Sequence, residues 1–403
     1  MSKVIENIIY DETNRQNKGI ELIASENFTS HSIRMAAGTI LTNKYAEGYP
    51  GKRYYGGCEY IDKVENYAIS LACRLFKCKY ANVQPHSGSQ ANFAAYRALL
   101  PNGGKILSMS LNDGGHLTHG SPVSFSGNLY QFIHYGLNTD GKISYVQLQE
   151  IAKREKPDLI VAGASSYPYA IDFRCIKQVC DDIGAKFMVD MAHIAGLVAT
   201  GDHQSPIQFA DIVTTTTHKT LRGPRGGLIL TNSEDLIKKI NSAVFPYAQG
   251  GPLMHIIAAK AICFEEALNT DFKEYIQNVI KNTKTARDKL ASYCAKVSGT
   301  DNHMFLLNTL DSYGLTGIEA QRKLEAAGIT TNKNMLPNDT LKPNETSGLR
   351  IGFAAVTTRG CSAVEARSIA EIIHKVLSNK ITDLEAEILV QSITTNWKRV
   401  EGL

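Results

Sequence analysis

The sequence lacks any pair of cysteines spaced Cys-x-x-Cys; its eight cysteines stand at 58, 73, 78, 175, 180, 263, 294 and 361. Such scatter in a long chain argues against a disulfide framework and against structural zinc. It points to reduced, mostly buried thiols in a cytosolic protein. There is also no apolar run near the roughly 18 residues that a membrane span needs. The opening Met1-Ser-Lys-Val-Ile-Glu-Asn has no apolar stretch followed by a small-residue cleavage site, so a secretory signal is not expected. Excess charge of one sign is missing too. Lys and Arg number 43 against 39 Asp and Glu, a net +4 that permits anionic ligands without signalling a nucleic-acid or membrane surface. Internal repeats and low-complexity segments are absent.

What is present is an ordinary globular composition, 43% hydrophobic and 20% charged, in 403 residues. That length exceeds one typical core and predicts two domains. Residues 1–24 read as a helical arm, 25–270 as a large domain and 271–403 as a smaller C-terminal α/β domain. Through the large domain, strand signals at Lys105–Met109, Leu129–Tyr135, Leu159–Ala162, Phe187–Val189, Ile212–Thr217 and Leu228–Thr231 alternate with helical or loop segments. This alternation predicts an α/β fold with a mostly parallel sheet covered on both faces. Residues 40–57 read as neither helix nor strand. They combine turn formers with Tyr45, Tyr49, Tyr54, Tyr55 and one carboxylate, Glu47. So aromatic a loop is either covered by a partner or ligand, or packs on itself.

Four strand ends carry polar residues. His116 and His119 follow the first strand, Ser165 the third, Asp190 and His193 the fourth, and His218 and Lys219 the fifth. Open α/β sheets bind ligands at the carboxyl ends of their strands, so four such ends facing one crevice amount to a site. His116 and His119 are close in sequence but have no third metal ligand nearby, and no metal is expected. Lys219 is either a surface lysine in a turn or an amine whose pKa is depressed for Schiff-base chemistry by burial and by neighbours such as Arg222 and Arg225. Ser87-Gly88-Ser89 before a helix is either a plain cap or a phosphate cup of free N–H groups at the positive dipole end. An amine, a phosphate cup and a strand-end carboxylate together fit pyridoxal phosphate. Asp190 would hold the pyridine nitrogen protonated, His116 would stack on the ring, and His193 and Ser165 would meet its hydroxyl. Arg350 can clamp an amino-acid carboxylate.

Several long stretches carry a family resemblance. They include Glu21-Leu-Ile-Ala-Ser-Glu-Asn, Leu41 through Gly57, Asn82-Val-Gln-Pro-His-Ser-Gly-Ser-Gln-Ala-Asn, Gly114-Gly-His-Leu-Thr-His-Gly, Val189-Asp-Met-Ala-His, Val213 through Gly227, Gln249-Gly-Gly-Pro-Leu-Met-His and Asn332-Lys-Asn. In these stretches the chain resembles serine hydroxymethyltransferase over nearly its whole length. The resemblance implies the aspartate-aminotransferase-like fold (fold type I) with a seven-stranded sheet, pyridoxal 5'-phosphate, tetrahydrofolate as co-substrate and a cytoplasmic homodimer with shared active sites. It implies that serine and glycine interconvert, the one-carbon unit passing to N5 of tetrahydrofolate by direct attack or by trapping of released formaldehyde.

Position by position, the resemblance makes Lys219 the cofactor lysine and has His218 help to position cofactor and substrate. Ser87, Gly88, Ser89 and the partner's Gly251 then bind phosphate, while Tyr45, Glu47 and Tyr55 reach into the neighbouring site and Glu47 transfers protons. Ser25, Tyr54, Arg225 and Arg350 fall at substrate positions, and Leu111, Gly115, Leu117 and Asn334 at pterin positions. Tyr247-Ala248, often Gly-Gly in the family, and Pro168-Tyr169 depart from it. A folate-independent, threonine-type aldolase of the same fold is the alternative reading, and an RNA-binding role has little support from the charge.

Overall fold

The β-branched and aliphatic runs of the middle of the chain assemble into one seven-stranded sheet in the computed structural model, which describes residues 2–401. We label its strands β1 (Tyr80–Asn82), β2 (Lys105–Met109), β3 (Gln131–Tyr135), β4 (Leu159–Ala162), β5 (Lys186–Asp190), β6 (Ile212–Thr216) and β7 (Gly227–Thr231). Their order across the sheet is β1-β7-β6-β5-β4-β2-β3. The pairs from β6 to β3 are parallel, and β7 runs antiparallel to both β1 and β6. The sheet is therefore mixed, with one reversed strand. Every residue of β4, β6 and β7 is buried, which accounts for the unbroken apolar and β-branched runs in the sequence.

The helix Gly88–Leu99 lies over one face. Its Ala91, Ala94, Ala95 and Tyr96 share a core with Ile106, Leu159, Met188, Ile212 and Ile229. Small side chains on that helix let it sit close to the sheet, and this closeness sets the position of its N-terminus. The strand β1 escaped the sequence reading because three residues leave too short a run for a period to show. The segment read from Leu129 starts instead at Gln131, since Phe125–Leu129 is a helical turn. Residues 40–57 are not wholly irregular either: a 3₁₀ turn at Ile40–Asn43 precedes a small antiparallel hairpin of Gly48–Tyr49 and Lys52–Arg53.

The chain divides into two units. One comprises residues to Phe28, Ser166–Tyr169 and residues from Glu274 onward; the other comprises Thr29–Ser165 and Ala170–Lys273. The arm and residues 25–28 thus group with the C-terminal unit, where the sequence reading keeps the arm apart and counts 25–28 with the large domain. The first unit holds an antiparallel four-stranded sheet of β8 (Lys296–Val297), β9 (Met304–Asn308), β10 (Asn332–Asn334) and β11 (Gly348–Gly352) in the order β8-β9-β11-β10. Phe305, Leu307, Leu349 and Ile351 from its centre pack with Leu324, Ile369 and Ile373. Ile20–Glu21 pairs with Ile329–Thr330, and buried Arg359 donates to the carbonyls of Gln16, Asn17, Gly19 and Lys398, which ties the arm to this unit.

All eight cysteines are free, yet only four are buried; Cys175 and Cys294 are exposed. Among the described residues no helix is long and apolar enough to cross a membrane.

Candidate active site

The strands β6, β5, β4 and β2 are successive parallel neighbours, so their carboxyl ends lie along one edge of the sheet. These are the four ends that carry His218-Lys219, Asp190, Ser165 and the Gly114–His119 turn. Backbone bonds knit the loops together there: Ser165 donates its N–H to the Gly114 carbonyl at 2.7 Å, and Met191 donates to Thr214 at 2.9 Å.

Asp190 is the electrostatic centre of the edge. Its Oδ2 accepts from Asn92 Nδ2 at 2.8 Å and lies 3.2 Å from His119 Nε2, while its Oδ1 accepts the N–H of Ala192 at 3.1 Å. Burial alone would raise its pKa. The hydrogen bond and charge of His119, the charge of His116 and the Asn92 amide outweigh that and hold the carboxyl well below its usual range. His116 is set by Thr118, whose Oγ1 lies 2.7 Å from Nδ1. Asn92 is fixed in turn by Thr214, whose hydroxyl donates to its Oδ1 at 2.6 Å. The sequence reading missed both His119 and Asn92 as partners of Asp190. It also found no third donor near His116 and His119, and the fold supplies one: ligand atoms of His116, His119 and Asp190 lie within 4.8 Å of one another. Two of the Asp190 oxygen's contacts are already taken by protein N–H donors.

Lys219 is buried in the turn that leaves β6. That turn is held by its own backbone, with Gly223 donating to the Thr217 carbonyl at 2.7 Å and Thr217 donating to Gly226 at 3.1 Å. Beside it, Thr220 Oγ1 donates to the carbonyl of buried His193 at 2.9 Å. His218 is pulled down to about 3 by burial first and then by the charges of Lys219 and Arg225, so its imidazole is neutral at physiological pH. The two arginines of the turn separate in role. Arg222, at φ 65°, places its guanidinium 5.6 Å from the Phe272 ring centre, whereas exposed Arg225 acts on His218.

Ser87 caps the helix Gly88–Leu99 by accepting the N–H of Gln90 at 3.2 Å. The plain cap and the N–H cup are therefore the same structure, because capping Gln90 leaves the N–H groups of Gly88 and Ser89 at the first turn. Gly88 must be glycine there, since a Cβ would come within 2.6 Å of Thr216 Cγ2. Buried atoms at this edge without a protein partner include Thr216 Oγ1, His218 Nδ1 and His86 Nε2. An ordered anion-binding cup, a neutral imidazole, an ionised buried carboxylate and a buried amine form a set of groups that fits a phosphorylated aldehyde bearing a basic ring nitrogen.

A second cluster in the same unit contains Tyr45, Glu47, Tyr55, Gly250 and Gly251. The rings of Tyr45 and Tyr55 meet edge-on at 5.2 Å, and a Cβ on Gly251 would come within 3.1 Å of Tyr45. The Glu47 carboxylate raises the Tyr55 phenol above its ordinary range. Tyr54 is exposed and meets Phe245 at 5.6 Å. The hairpin is braced by Arg53, which pairs with Glu65 at 2.6 Å and Asp62 at 2.8 Å and donates to the carbonyls of Ala46 and Gly48, both at 2.9 Å. Replacing Arg53 by methionine strands the Glu65 carboxylate in the interior. We expect unfolding to become easier by about 3–5 kcal/mol in urea titrations; a loss below about 1 kcal/mol would show the pair to be dispensable.

Leu111 and Leu117 are exposed and Gly115 is buried, tight against the carbonyls of Met109 and Ser110. In the other unit, Arg350 on β11 donates to Ser25 Oγ at 3.4 Å, and burial lowers its pKa to about 10. Asn334 lies on β10, the strand that pairs with β11 and sets Asn332 opposite Arg350.

The family model described as serine hydroxymethyltransferase matches residues 1–373. The chain belongs to the serine hydroxymethyltransferase family. It is accordingly an enzyme, a one-carbon transferase that uses pyridoxal 5'-phosphate, with tetrahydrofolate as co-substrate, and interconverts serine and glycine. The seven-stranded mixed α/β sheet accords with the type I fold of serine hydroxymethyltransferases. Both departures from the family pattern acquire contacts here. Tyr247 stacks on Phe93 at 5.9 Å under the Arg97 guanidinium, and Tyr169 accepts the N–H of Gly299 at 3.1 Å.

Proposed function

We propose that this enzyme transfers the hydroxymethyl group of serine to tetrahydrofolate, giving glycine and 5,10-methylenetetrahydrofolate, in a cytoplasmic homodimer whose active sites are shared. The observation that carries this reading is the row of adjacent parallel strand ends with ionised Asp190 at its centre and buried Lys219 beside it. In this reading residues 25–270 are the cofactor-binding domain and residues from 271 the smaller one.

Bound pyridoxal phosphate supplies an aldehyde for an amine and a ring that withdraws electrons from the substrate α-carbon. The chain's own residues do the rest. Ser87, Gly88 and Ser89 hold the phosphate with the partner's Gly251. Asp190, kept anionic by His119 and Asn92, would hold a proton on the ring nitrogen, and His116 would cover the ring. His193 and Ser165 face the ring hydroxyl. Lys219 would hold the cofactor through its amine, with neutral His218 beside it. Arg350 and Ser25 bind the serine carboxylate as a fork and its neighbour. Glu47 moves the proton at the serine hydroxyl, with Tyr45, Tyr54, Tyr55 and Arg225 around it, and Leu111, Gly115, Leu117 and Asn334 meet the pterin.

The homodimer is supported by large apolar side chains left exposed within one stretch of the second unit, residues 35–60. Met35 is 60% exposed, Ile40 82%, Tyr45 56%, Tyr54 76% and Tyr60 70%, side chains that a partner surface could cover.

The test is an absorbance titration of the purified protein. We expect a new visible band only when glycine and tetrahydrofolate are both present. A band with glycine alone, together with serine cleavage that ignores folate, would favour the folate-independent aldolase. Within this reading, Glu47→Gln lowers folate-dependent serine cleavage by about a hundredfold or more while leaving cofactor binding intact. Equal loss of both would assign Glu47 to assembly.

A further inference from the structure

Lys260 is a charged side chain that none of these roles uses. It sits in the helix Met254–Ala267 and is 1% exposed. Its Nζ donates to three carbonyls, Val83 at 2.7 Å, Gly227 at 2.8 Å and Pro85 at 3.0 Å. Three acceptors match the three N–H donors of an ammonium and exceed the two of a neutral amine, so the geometry specifies the charged form. Burial pulls its pKa down to about 7, against the pull of the Glu65 carboxylate.

The carbonyls it gathers come from two segments. Val83 and Pro85 belong to the chain that runs from β1 into Ser87, and Gly227 opens β7 directly after the Lys219 turn. The two segments also touch without Lys260: Gly227 donates its N–H to the Pro85 carbonyl at 3.0 Å, and a Cβ on Gly227 would collide with the Ser87 carbonyl. A Cβ on Gly226 would collide with the Lys260 side chain itself, so the lysine fills the space beneath the turn. Three backbone carbonyls aimed at one buried point would repel one another without a cation between them.

We infer that Lys260 is a positioning residue for the cofactor: its ammonium clamps the approach to the Ser87–Ser89 cup against the return of the Lys219 turn, and so sets where the phosphate is held. The inference rests on the reading that the cup binds the phosphate of pyridoxal phosphate. Because the clamp acts through the cup, it bears on the phosphate and not on the ring.

The experiment compares pyridoxal phosphate with pyridoxal, which lacks the phosphate, on full-length wild type and Lys260→Met. Both are read by equilibrium binding, and by the rate of cofactor release from the holoenzyme. We expect the preference for the phosphorylated form to fall about tenfold or more in the variant, with pyridoxal affinity unchanged within about twofold. Should Lys260→Met fail to fold, Lys260→Gln, which keeps two N–H donors, carries the same comparison with a smaller expected drop. Weakening of both ligands in proportion would show a general structural role and overturn the inference, as would an unchanged preference. A wild type that binds the two alike would instead refute the cup as phosphate site, so the two failures are distinguishable.

Discussion

Lys219→Ala loses the visible absorbance of the lysine-bound cofactor, and its serine turnover falls by at least about a thousandfold. The amine at this position is buried at the carboxyl edge of β6, beside a neutral His218. Alanine removes the nucleophile and leaves its surroundings in place. The Gly223 and Thr217 backbone bonds hold the turn. The variant is therefore expected to fold with an unchanged circular dichroism spectrum and to retain cofactor only through the cup and ring contacts. Absorbance of the purified variant and its rate of glycine formation check this together. Retention of both signals would sink the assignment of Lys219, and loss of both with a disordered spectrum would recast it as a folding residue.

Asp190→Asn is the second large effect, about a hundredfold to ten-thousandfold in serine turnover. The substitution preserves shape but removes the negative charge that His119, His116 and Asn92 stabilise. An amide cannot stabilise a proton on the ring nitrogen, so the electron sink is lost even where the cofactor still binds. The folded pKa of Asp190 lies below its unfolded value. Its contribution to stability is therefore present above the unfolded pKa and is lost only as pH falls through the folded one. Between neutral and mildly acidic pH the carboxylate does not titrate, and the wild-type rate should show no acid limb from this group there. Parallel measurement of cofactor affinity and turnover checks the assignment. Unaltered turnover in Asp190→Asn would remove Asp190 from the site, and Asp190→Glu should recover part of the rate by restoring the charge.

Much of this site was legible before the fold was known. The run Ile212–Thr217 followed by His218-Lys219 announced a buried strand with an amine at its end, because β-branching and abrupt punctuation by Gly and Pro are local signals. Ser87 before a helix was equally readable, since capping is settled within four residues. What stayed hidden were the meetings. Asn92 reaches Asp190 across 98 positions, and Lys260 reaches Val83 across 177. Nothing in the residues next to Asn92 or Lys260 marks those distant partners, because each partner comes from another element.

Most of the sheet's strands, the strand-end chemistry and the family motifs are legible in the sequence alone because they depend on neighbours along the chain, whereas the three-residue β1 and the hairpin at 48–53 are not. The tertiary structure was needed to show that β2, β4, β5 and β6 lie side by side, that His119 and Asn92 bond the Asp190 carboxylate, and that a lysine is buried under the cup. The reason is physical. The cost of burying a charge depends on which donors and carbonyls surround it, and those partners come from strands and helices that only the sheet order brings into contact.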